Sequence, residues 1–79
     1  MKVNERLGAA LEKREWSQTD FGRRLGVDRS AVSRWLSGGS RPDAHHRLGI
    51  ELLLGINQND WLTREERKLV DAATKTEAA

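Results

Sequence analysis

Apolar positions recur at helical spacing along most of the chain. Val3, Leu7, Ala10 and Leu11 share one face of a 3.6-residue period while Glu5, Arg6, Glu12 and Lys13 fill the others, which predicts an amphipathic first helix over about residues 4–14. Ser17, Gln18, Thr19 and Asp20 resemble a capping box: Ser17 can accept an orphan backbone N–H, and Asp20 sits near the positive helix terminus. A second helix therefore starts at Gln18, turns Phe21 and Leu25 inward and ends at Gly26, which adopts the left-handed conformation at little steric cost. After the turn, Asp28 is expected to cap a third helix from Arg29 to Ser37 with Ala31, Val32, Trp35 and Leu36 inward. Gly38 and Gly39 stop it.

The loop through Pro42 leads to Asp43, the expected cap of a fourth helix that runs through Leu48, Leu52 and Leu53 to Gly55. Residues 56–60 are expected to form a second loop. Thr63 to Glu66 then form another capping box and open a fifth helix, with Leu69, Val70 and Ala73 on one side. The pattern predicts an all-α, five-helix single domain over residues 1–73, with a frayed tail at 74–79.

Composition narrows the class. A chain of 79 residues is one domain and has a small core, so dense helix packing or self-association must stabilise it. It contains no cysteine, which removes disulfides and thiolate metal sites. No uninterrupted run of 18 apolar residues occurs and the N-terminus lacks a secretory pattern, so a cytoplasmic location without membrane insertion is expected. Net charge is +2, but it is unevenly spread. The thirds 1–20, 21–50 and 51–79 carry 0, +4 and −2, and the excess of arginine in the middle would attract phosphates there.

That basic third contains the spacing of a helix-turn-helix. Phe21, Leu25, Val27, Val32 and Trp35 supply a shared core, Gly26 the turn, and Gly22 a close approach of the two helices. The outer face of the third helix presents Arg29, Ser30, Ser33, Arg34 and Ser37, side chains able to reach base edges or phosphates. Trp16-Ser17-Gln18 through Leu25-Gly26-Val27, followed by Asp28-Arg29-Ser30-Ala31-Val32-Ser33-Arg34-Trp35, resembles the phage repressor, Cro and XRE-type helix-turn-helix family. The likeness extends over about Asn4 to Trp61, with Arg41-Pro42-Asp43 similar to the step into the family's fourth helix. It implies a lambda-repressor-like DNA-binding domain whose second and third helices form the motif. Gly22 stands where alanine is usual and is expected to loosen the second helix. Trp35 replaces a smaller residue and is expected to shift the third helix outward.

The resemblance implies base contacts by Arg29, Ser30 and Arg34, and Ser33 shares their face; Arg34, further along the helix, is equally placed to grip a phosphate instead. The planar fork of Arg29 suits the N7 and O6 of guanine. It likewise implies a phosphate contact by Gln18, with Ser17 beside it at the helix start. Ser37, Ser40 and Arg41 lie where the chain would leave the groove, with Arg41 the leading phosphate clamp. Leu54, Ile56, Trp61, Leu62, Leu69 and Val70 exceed what one small core readily covers, which predicts a homodimer interface there. His45 and His46 are adjacent, so on a helix they point about 100° apart and do not suit one metal ion. No catalytic constellation has recognisable context, and no metal, cofactor or small-molecule ligand is implied. The reading is a sequence-specific regulator of double-stranded DNA, a repressor on a palindromic operator; the alternative is an antitoxin or adaptor using the helices as a protein-binding module.

Overall fold

Local devices in the sequence set most of the helix boundaries. The computed structural model describes the backbone of residues 1–78 and the side chains of residues 1–74. Its helices are α1 (Val3–Lys13), α2 (Gln18–Leu25), α3 (Arg29–Ser37), α4 (Ala44–Leu54) and α5 (Arg64–Ala78). Ser17 and Asp20 form the reciprocal capping box of α2: the Ser17 hydroxyl accepts from the Asp20 N–H at 3.0 Å, and Asp20 accepts from the Ser17 N–H at 3.2 Å. Asp43 caps α4 by accepting from the His46 N–H. Thr63 and Glu66 form the box that opens α5. Asp28 differs from expectation. It holds the extended N-cap backbone of α3, but its carboxylate accepts no capping bond.

The α2–α3 junction is unusually tight. Gly26 takes a φ of 81°, and the N–H groups of Gly26 and Val27 both donate to the Gly22 carbonyl at 2.8 Å. A Cβ on Gly22 would stand 2.7 Å from the Val27 carbonyl oxygen, inside any tolerable contact. Gly22 therefore permits the close approach, which a side chain at this position would prevent.

Phe21 from α2, Val32 and Trp35 from α3, and Leu7 and Leu11 from α1 meet in one core that Ile50 and Leu54 of α4 close. α1 packs against α3, and α2 packs against both α3 and α4. Trp35 is 5% exposed and fills this core, with its ring 5.9 Å from that of His46. The inward face of α4 is Ile50 and Leu54, with Leu53 partly buried. Leu48 and Leu52 are 44% and 78% exposed. Gly49 lets α4 lie close on Leu25 of α2.

Beyond α4, the expected loop contains a 3₁₀ turn over Gln58–Trp61, joined to α4 where Glu51 accepts from the Gln58 N–H. Asp60 pairs with Arg6 of α1 at 2.7 Å. These ties bring Ile56 and Trp61 into the core. Leu54, Ile56 and Trp61 are 8%, 4% and 3% exposed within the single chain, so the chain's own core consumes the surface expected at a dimer interface. Leu62 is partly buried, and Leu69 and Val70 stay outside. α5 remains helical to Ala78, past the point where fraying was expected; Ala79 lies outside the described residues.

Replacing glycine by alanine inside a helix ordinarily gains up to about 1 kcal/mol. At Gly22 the added methyl meets backbone rather than a movable side chain, and overpacking costs roughly 1–3 kcal/mol. Gly22→Ala should therefore lower the thermal midpoint by several degrees. A rise in the midpoint would show that the turn yields without cost.

Candidate nucleic-acid interface

Burial of Val32 and Trp35 orients α3, because the residues between them must face away from the core. Arg29, Ser30, Ser33, Arg34 and Ser37 are all exposed on that outer side. No hydrogen bond or ion pair engages the side chains of Arg29, Ser30, Ser33 or Arg34 among the described residues. Arg29, Ser30 and Ser33 line a shallow surface depression. Ser37 is partly committed: its hydroxyl donates to the Arg34 carbonyl at 3.0 Å and accepts from the Gly39 N–H at 3.4 Å. Ser40 is exposed in the loop beyond. A helix with its side chains is about 10–12 Å across, and the B-DNA major groove is about 12 Å wide, so this outer face can enter the groove.

The first turn of α2 has a more divided character. Asp20 occupies the Ser17 N–H, and its carboxyl is held below its ordinary value by that bond, then by the Ser17 hydroxyl, with Arg23 and Arg24 adding attraction. A negative charge thus sits beside the helix terminus that a phosphate would approach. The backbone N–H groups of Gln18 and Thr19 remain the open donors of this turn. Gln18 is partly buried, and its side-chain oxygen has no donor among the described residues.

Two positioning residues escaped the sequence reading. Asn4 donates to the Leu36 carbonyl at 3.1 Å and ties the end of α3 to α1. Its place on the face that carries Leu7 and Leu11 was the available signal, since a polar residue within an apolar stripe needs a buried partner. Arg24 lies over the Trp16 ring at 4.3 Å and braces the α1–α2 junction.

A family model for helix-turn-helix domains matches residues 7–57, a span from the middle of α1 to just beyond α4. The chain belongs to the XRE-type helix-turn-helix family. No curated protein and no solved structure is significantly similar to it. The five helices form a lambda-repressor-like domain, and this helix-turn-helix protein is a DNA-binding protein rather than an enzyme. Among the described residues, no helix is long and apolar enough to cross a membrane.

In the DNA-free chain the guanidinium of Arg41, the expected phosphate clamp, donates to the Trp61 carbonyl at 3.0 Å and to Glu66 at 2.7 Å, a tie that fastens the start of α5. Glu66 cancels the charge. The Thr63 backbone N–H first, then Arg41 and the Thr63 hydroxyl, hold the Glu66 carboxyl down at about 2 from an ordinary value of 4.5. A carboxyl depressed by folding contributes stability above its unfolded value, and loses that contribution as pH falls through its folded value. Glu66→Gln should therefore reduce helicity relative to wild type at neutral pH, with the difference shrinking between pH 4.5 and about 2. Circular dichroism measures both proteins; a difference independent of pH across that window would remove Glu66 as the α5 anchor.

Proposed function

We propose that the chain is a sequence-specific transcriptional regulator that acts as a repressor, binding a palindromic operator as a homodimer in the cytoplasm. The observation that carries this reading is the outer face of α3, where Arg29, Ser30, Ser33 and Arg34 are exposed and unengaged. Two arginines and two serines offer donors of the geometry that major-groove base edges accept. Ser17, Gln18, Ser37 and Ser40 serve as phosphate contacts around that face, using hydroxyl, amide and backbone donors. Bound across a promoter, such a domain blocks access to the duplex, which is the basis for repression. Two copies related by a two-fold axis would set their α3 helices about 34 Å apart, or a multiple of that, and so favour a symmetric site.

A second reading, an antitoxin or adaptor that binds protein through its helices, draws support from the exposed Leu48 and Leu52 of α4. Selection of bound fragments from random DNA separates the two. An enriched palindrome is expected for the regulator, and no enrichment at low salt favours the protein-binding module.

Arg29→Ala should relax preference at one base position. If its fork pairs with guanine, the loss costs about 1–3 kcal/mol on the preferred site and much less on a site already changed at that base. Binding titrations on both sites, with helicity and thermal midpoint unchanged, make the comparison. Equal weakening on every sequence would assign Arg29 to the phosphate backbone instead.

A further inference from the structure

The loop after α3 holds a cation with two claims on it. With nine residues α3 is about 14 Å long, against a major groove about 12 Å wide, so the chain leaving its end meets the groove wall, which is sugar–phosphate backbone. Arg41 stands in that exit segment, shortly beyond Ser37. Its guanidinium nevertheless reaches toward α5, where a single nitrogen, Nη1, donates both to the Trp61 carbonyl and to Glu66. The paired side chains are 48% and 42% exposed, and an ion pair open to water is a weak one. A phosphate offers the same guanidinium two parallel charge-assisted bonds and a released counterion.

We propose that Glu66 sets the strength of the chain's grip on the DNA backbone: it competes with a phosphate for Arg41, and the guanidinium changes partner when the duplex arrives. This rests on duplex binding through α3 and adds a restraint that lies outside the helix-turn-helix motif. Glu66 is built to survive the exchange. The Oε1 that accepts from Arg41 also accepts from the Thr63 N–H at 2.9 Å, so the carboxylate keeps a partner and α5 keeps its cap. What the exchange costs is the tie to the loop, including the bond to the Trp61 carbonyl. Because α5 packs only slightly against the other helices, that tie is a main restraint on it. Phosphate and α5 anchor therefore weaken each other's hold on Arg41 by the same factor, and α5 is fastened most firmly in the DNA-free chain.

Titrating a short random-sequence duplex over a range of salt concentrations reads the competition. Glu66→Gln retains a capping acceptor but removes the competing charge, and should bind roughly two- to fivefold tighter than wild type. Arg41→Ala should bind more weakly and lower the salt slope by about 0.9, the share of one phosphate. In the Arg41→Ala background, Glu66→Gln should lose most of its gain, because that gain runs through the guanidinium. Hydrogen exchange supplies an independent readout: amides of residues 67–74 should exchange faster in the duplex complex than in the free protein, while those of α1 to α4 do not. An equal gain from Glu66→Gln with and without Arg41 would reduce the effect to a general loss of negative charge and overturn the competition. So would an Arg41→Ala salt slope equal to that of wild type, or α5 amides slowed by the duplex. Each of these results leaves duplex binding standing, whereas a wild type that binds no duplex even at low salt overturns both.

Discussion

The orientation of the outer α3 face depends on the contact between Gly22 and the turn after α2. Two backbone N–H groups converge on the Gly22 carbonyl, and the Val27 carbonyl occupies the space that a side chain at position 22 would need. Because backbone presses on backbone there, the path from α2 to α3 has little freedom. α3 is then held at its far end by Asn4, which binds the Leu36 carbonyl from α1. Pinned at both ends, with Val32 and Trp35 driven inward, the helix has one face left to present. The bulk of Trp35 lies inside the core, with its ring 5.9 Å from that of His46 of α4.

Features set by neighbours in sequence were legible; those set by distant partners were not. The bounds of α3, the boxes at Ser17 and Thr63, and the cap at Asp43 depend on residues within four positions of one another, so spacing reveals them. The inward face of α4 was not legible because Leu48, Ile50, Leu52, Leu53 and Leu54 put apolar side chains around much of the helix. Periodicity cannot choose a face in such a run, and packing against Leu25 and the 3₁₀ turn made the choice. The pairs Arg6–Asp60 and Arg41–Glu66 lie 54 and 25 residues apart. Charge counting alone leaves both arginines looking like free cations. The base-facing candidates Arg29, Ser30, Ser33 and Arg34 came out exposed because their positions follow from the buried Val32 and Trp35, while their contacts with DNA are a matter for the duplex itself.

The internal use of Arg41 changes how a duplex must be held. Counterion release scales with the number of cations that reach phosphates, whereas hydroxyl and amide contacts position the backbone with little such release. Arg41 is neutralised by Glu66, and Asp20 places negative charge beside the start of α2. The other side chains proposed for phosphate contact, Ser17, Gln18, Ser37 and Ser40, are all neutral. Exposed arginines other than Arg41 remain on both helices of the motif, Arg23 and Arg24 on α2 and Arg29 and Arg34 on α3, so the long-range attraction for phosphates falls to them.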